Sequence, residues 1–149
     1  MVKARKIVSN KQLDFLRVDE HSEVLIPYVG NINAGFPSPA DDYLELKIDL
    51  NRELVKHPES TFYARVRGKS MINAGLDDGD VLIIDRSLEP TDGKIAVCYI
   101  DGEFTIKRLK VEKDICWLMP ENEDFSPIKV TKENDFIVWG IVSYIIKKL

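Results

Sequence analysis

Asp101-Gly102, set between two largely apolar runs, is the feature that most narrows what this chain can fold into. A two-residue Asp-Gly connection accepts positive φ at both positions and matches the twist of paired antiparallel strands. It predicts a hairpin with strands over Lys94 to Ile100 and Glu103 to Val111. Composition and boundaries predict further strands. Residues 61 to 66 are rich in aromatic and β-branched types, and Val81 to Ile84 is a short apolar run. Cys116 to Met119, Ile128 to Thr131 and Phe136 to Ile146 extend the series. In the last run Val138, Gly140, Val142 and Tyr144 alternate with Trp139, Ile141, Ser143 and Ile145. Both faces are largely apolar, which suits either burial or a subunit contact.

Upstream of these runs the signals are weaker. Val24 to Val29 is a short strand interrupted by Pro27, which suits an edge. Tyr43 to Ile48 alternates imperfectly, and Asp49 is placed to cap a short helix reaching about Lys56, with Pro58 close behind. Residues 1 to 23 are highly charged and poor in apolar types, and read as a mobile arm. Within them Ser9 and Gln12 resemble a weak capping box, predicting one or two helical turns over Ser9 to Val18. The stretch from Gly30 to Pro39 is dense in breaker residues and separates the arm from the rest of the chain. It is either an ordinary linker or a site of chain cutting. The expected fold is one mostly β domain with short helices and many hairpin connections, behind an N-terminal arm.

At 149 residues the chain is long enough to bury a core without staples. Its 21 basic and 25 acidic residues leave a net charge of −4, which argues against gripping nucleic acid through phosphates. No helix-turn-helix domain fits before the first strand, so direct sequence-specific DNA binding is not expected. No apolar run is long enough for a membrane helix and no signal-peptide pattern opens the sequence, so the expected location is the cytoplasm. Cys98 and Cys116 lie in strand-like apolar surroundings and are expected reduced and buried, a disulfide being the alternative. His21 and His57 lie near neither cysteine, and no metal or cofactor is expected.

Two polar residues carry the candidate chemistry. In Gly68-Lys-Ser70-Met71, Gly68 opens a sharp turn and Ser70 falls where an N-cap or first-turn residue of a short helix would sit. Free N–H groups at such a turn suit an oxyanion, here from Ser70 and Met71. A serine that merely caps the helix is the plainer reading of this motif alone. Lys107 lies on the outgoing strand of the Asp101-Gly102 hairpin, with Thr105 and Leu109 on its face and Phe104, Ile106 and Arg108 on the other. A lysine on a strand is ordinarily a solvated charge. An inward-facing one loses solvation and becomes a base able to take a serine proton. An ordinary lysine of pKa about 10.4 is neutral in only about one molecule per thousand at pH 7.4, a gap of roughly 4 kcal/mol.

Gly68-Lys-Ser70-Met71, Asp78-Gly-Asp80 before an apolar strand, and Asp101-Gly-Glu-Phe-Thr-Ile-Lys107-Arg-Leu resemble the LexA/UmuD family of self-cleaving serine peptidases. Gly35-Phe-Pro-Ser-Pro-Ala40, Asp42-Tyr43, Ile48-Asp-Leu-Asn51 and His57-Pro58 are similar to its UmuD-like branch, over about residues 34 to 149. The resemblance implies a peptidase domain of curved antiparallel sheets over residues 35–149, and an arm over residues 1–34 that self-cleavage removes. It implies Ser70 as nucleophile, Lys107 as general base and Ala34-Gly35 as the cut bond. UmuD-type chains more often carry cysteine before that glycine, and the alanine matches LexA-like repressors. It further implies a homodimer, stimulation of cutting by the RecA–single-stranded DNA filament, and a product that joins a Y-family error-prone polymerase in the SOS response to DNA damage. The alternative is a binding module of the same fold that contacts a polymerase or filament and does not cut.

Overall fold

The structure, a computed structural model, describes residues 5–9, 13–17, 25–28, 34–35 and 46–149. Among the described residues eleven strands form: β1 (Arg5–Ser9), β2 (Leu13–Arg17), β3 (Leu25–Tyr28), β4 (Leu46–Asp49), β5 (Thr61–Val66), β6 (Val81–Asp85), β7 (Ile95–Ile100), β8 (Glu103–Glu112), β9 (Ile115–Met119), β10 (Ile128–Lys129) and β11 (Phe136–Ile146). Nine of them make one curled antiparallel sheet in the order β1-β2-β5-β6-β11-β7-β8-β9-β10, while β3 and β4 pair apart. The mostly β reading therefore holds. In β3, Pro27 sits in a ribbon that is two-stranded among the described residues, which suits the edge position expected of it. Asp49 does cap the short helix α1 (Leu50–Leu54), its side chain accepting from the Asn51 N–H at 3.0 Å.

The central hairpin obeys its turn chemistry. Asp101 and Gly102 take φ of +48° and +88°, and the ladder runs in register from Ile100 opposite Glu103 to Ile95 opposite Arg108. Two upstream expectations change. Leu13 to Arg17 is a strand paired with β5, not a helical turn, and Leu13 is fully buried. An unpaired edge of β5 offers a row of backbone partners, which outweighs one weak capping signal. In β11 the simple alternation also fails. The register slips between Val138 and Gly140 against β7, and between Val142 and Tyr144 against β6. Each bulge reverses the faces, so Trp139 and Val142 share one apolar cluster while Val138 and Ile141 share the other. Between the bulges Gly140 passes so close to β6 that a Cβ there would lie 2.6 Å from Ile84 Cγ2. Of the two outcomes foreseen for β11, burial describes its middle. Tyr144, Ile145 and Ile146 at its end are exposed.

Those two clusters flank the Ser70 turn and Lys107. The larger contains Leu13, Ala64, Val66, Met71, Leu76, Leu82, Ile84, Val97 and Ile106, and the smaller gathers Ala96, Cys98, Leu109, Leu118 and Ile141. Met71 and Leu76 anchor the Ser70 turn in the first, while Ile106 and Leu109 seat β8 in both. Cys98 is buried and Cys116 half-buried, and both are free thiols. His21 and the segment from Phe36 to Tyr43 lie outside the described residues.

Candidate active site

Strand β5 ends at Val66, and the chain then turns at Gly68, whose φ of +99° is one that side-chain-bearing residues rarely take. The Asp78-Gly-Asp80 segment fixes that turn. Asp78 Oδ1 accepts from the Gly68 N–H at 2.8 Å, and Val66 exchanges backbone hydrogen bonds of 2.8 Å with Gly79 and Asp80. Asp80 is buried and accepts from the Asp77 N–H at 2.9 Å and from Lys147 at 2.6 Å. Burial pushes the Asp80 carboxyl up, but Lys147 and the Asp77 N–H outweigh it and hold the group below its ordinary value.

Ser70 lies one residue before the N-cap, not at the N-cap or first-turn position expected from sequence. The helical turn is a 3-10 segment, Ile72–Ala74, and Met71 is its N-cap, with no side chain bonded there. The serine hydroxyl is thus not consumed by capping. Instead it lies 3.3 Å from Lys107 Nζ. Among the described residues, neither the Ser70 N–H nor the Met71 N–H donates to another group. Ser70 is half-buried and Met71 buried.

Lys107 points inward, with a relative exposure of 5%. Its Nζ donates to Thr105 Oγ1 at 2.6 Å and to the Ile106 carbonyl at 3.0 Å. No carboxylate pairs with it among the described residues. Burial lowers the Lys107 pKa, opposed only by Cys98. Burial pushes the Cys98 thiol up to about 12, so at neutral pH it supplies no counter-charge. The two members predicted from sequence therefore meet, and the lysine meets the serine without its usual hydration.

Ala34 and Gly35 are both exposed, and Gly35 has a φ of +146°, which favours glycine. No hydrogen bond joins either to Ser70 or Lys107 among the described residues. Thr105 carried one sequence signal, its position two residues before Lys107 on the same strand face. Glu121 and Asn122 carried none, yet the Glu121 N–H donates to the Ser70 carbonyl at 2.8 Å. An open cleft of about 290 Å³ borders that contact, lined by Asn73, Pro120, Glu121, Asn122, Glu123, Phe125 and Pro127. A second cavity of about 300 Å³ includes His57, Asp85 and Tyr144 in its wall, and neither Ser70 nor Lys107 lines it. Among the described residues no group of three or more His, Cys, Asp or Glu is placed to hold a metal, and no helix is long and apolar enough to cross a membrane.

The family model described as Peptidase S24-like matches residues 27–143. The chain is 42% identical to protein MucA of Salmonella typhimurium over 118 residues, covering 78% of this chain and 80% of that one. It is 37% identical to protein ImpA of Salmonella typhimurium over 121 residues, 81% of this chain and 82% of the other. With the LexA repressor of Acidithiobacillus ferrooxidans it shares 38% identity over 123 residues, 80% of this chain and 60% of the repressor. A family match over most of the chain, joined by relatives at this level of identity, places it among the LexA/UmuD-like self-cleaving serine peptidases, in the peptidase S24-like family.

Proposed function

We propose that this chain cuts its own Ala34-Gly35 bond with a Ser70–Lys107 dyad. The observation that carries the reading is a buried lysine amine 3.3 Å from a serine hydroxyl, with no carboxylate partner among the described residues. As a neutral amine Lys107 has two N–H bonds, which Thr105 and the Ile106 carbonyl accept, and one lone pair left for the Ser70 O–H. Ser70 Oγ attacks the Ala34 carbonyl carbon as its proton passes to Lys107. The N–H groups of Ser70 and Met71 receive the oxyanion. When the Ala34–Gly35 C–N bond breaks, Lys107 returns the proton to the Gly35 nitrogen, leaving Ala34 as an ester on Ser70. Water, deprotonated by the same amine, hydrolyses that ester. The products are residues 1–34, ending in a carboxylate, and residues 35–149.

Tethering supplies the bond at an effective concentration of about millimolar, so catalysis of one turnover needs no deep substrate pocket. Membership of the LexA/UmuD-like family supports a role in the SOS response. In that role a RecA–single-stranded DNA filament stimulates cutting, and the product serves a Y-family error-prone polymerase. The exposed Tyr144, Ile145 and Ile146 at the end of β11 suit a homodimer contact.

The test is incubation of the wild type and Ser70→Ala from pH 7 to 10.5, read by intact mass. Only the wild type should split after Ala34. Its rate should rise with pH and pass its half-maximal value below pH 10.5, because the neutral amine is the active form and burial lowers the Lys107 pKa. If both chains stay whole at high pH and with an activated RecA filament, the peptidase reading falls and a non-cutting binding module replaces it. Equal splitting of both would point to a contaminating protease.

A further inference from the structure

We propose that Glu121 is a positioning residue that holds the Ser70 turn at working distance from Lys107. The inference rests on the proposed dyad and adds a part to it. Glu121 touches both halves of the site by different groups. Its backbone N–H donates to the Ser70 carbonyl and its own carbonyl accepts from the Asn73 N–H, each at 2.8 Å. The next residue adds a third tie, Asn122 Nδ2 donating to the Lys69 carbonyl at 2.8 Å. These bonds bracket the nucleophile from Lys69 to Asn73. The Glu121 carboxylate meanwhile accepts from Arg108 Nε at 2.5 Å, and Arg108 is the residue after Lys107 along β8. Arg108 is itself fixed, its Nη1 donating to the Gly93 carbonyl at 2.8 Å and its backbone standing opposite Met119 in the β8–β9 ladder.

The consequence is geometric. Ser70 and Lys107 lie on separate elements; the Asp78–Gly68 bond fixes the start of the turn and Met71 its core side. Pro120 to Asn122 leave the end of β9 at a point fixed by that ladder, then clasp the turn. At 3.3 Å the Lys107–Ser70 contact is the longest of the three made by Nζ, so it is the one a small shift of the turn would break. Displacing a reacting group by about 1 Å can cost about a hundredfold in rate.

The experiment compares self-cleavage of the full chain for wild type, Glu121→Ala, Arg108→Glu and the charge-exchanged pair Arg108→Glu with Glu121→Arg, across the same pH range. Glu121→Ala should lower the high-pH plateau by about ten- to a hundredfold and leave the pH midpoint in place. The exchanged pair should recover most of what Arg108→Glu loses. A wild-type plateau in Glu121→Ala, a moved midpoint, or no recovery in the pair would overturn the proposal. Amide hydrogen exchange supplies a readout that needs no cleavage. In a Ser70→Ala chain, adding Glu121→Ala and Asn122→Ala should speed exchange over residues 69–74 about tenfold while β5 and β8 keep their protection. Unchanged exchange there would overturn the proposal whether or not the wild type cuts. Faster exchange there, combined with a wild type that never cuts, would retain the clasp and remove the peptidase.

Discussion

Two corners of this molecule bury a titratable group beside hydroxyls, and they bias it toward opposite charge states. At one, Lys107 is buried against Thr105 and Ser70 with neutral acceptors only, and burial lowers its pKa. At the other, Asp85 is buried with four donors. Oδ1 accepts from Ser60 Oγ at 3.0 Å, Ser87 Oγ at 2.7 Å and the Ser87 N–H at 2.8 Å, and Oδ2 meets His57 Nδ1 at 2.6 Å. Burial alone would push the Asp85 carboxyl up. The Ser87 hydroxyl, His57, the Ser87 N–H and Ser60 outweigh it and hold the group below its ordinary value. Serine, histidine and aspartate at one corner resemble the parts of a triad, but the order is wrong. Both serine hydroxyls give their protons to the carboxylate, so no base faces a nucleophile. The difference teaches that reactivity comes from mismatch. Partners that suit the charged form make a structural anchor, while partners that leave the charge unanswered make a base.

Replacing the mismatched lysine should have the largest effect. Lys107→Met is expected to slow self-cleavage by about 10²- to 10⁴-fold at every pH, measured by intact mass. The same variant tests the state of the amine. A lysine whose folded pKa is lowered binds fewer protons folded than unfolded between that lowered value and 10.5. Wild-type stability, compared with Lys107→Met by denaturant unfolding, should therefore rise with pH through that window. A falling difference would mean that the folded state keeps the charge.

Asp85→Asn should come next, costing about 2 kcal/mol in the same unfolding experiment by stripping a buried carboxylate from its donors. Asp85 is held below its ordinary 3.8, so its contribution is complete above that pH and is lost as pH falls through the folded value. The variant's acid limb should be flatter than the wild type's. The smallest effect belongs to His57→Gln, no more than about 1 kcal/mol, because the ring is 46% exposed and solvent screens the pair. Neither change should alter the cleavage rate of folded protein. Loss of cutting in His57→Gln would break the division between anchor and base.

Much of this was legible in the residues themselves. Asp101-Gly102 dictated a hairpin because its torsions are local, and alternation along β8 put Thr105, Lys107 and Leu109 on one face because the strand period is local too. Asp49 could be read as a cap on the same grounds. The resemblance in Gly68-Lys-Ser70-Met71 and around Lys107 pointed to two residues that the fold does bring together. What failed was where a distant partner overruled a local hint. Leu13 to Arg17 became a strand because β5 offered an edge, and the faces of β11 changed twice because β6 and β7 impose different registers on it.

The tertiary structure alone decided the 3.3 Å meeting of Ser70 and Lys107, the burial that lowers the lysine, and the reach of Glu121 to the Ser70 turn. The physical reason is range. Torsional preference and side-chain period act over a few residues and can be read in order along the chain. Separation and solvation between remote residues arise only when the sheet curls and brings them together.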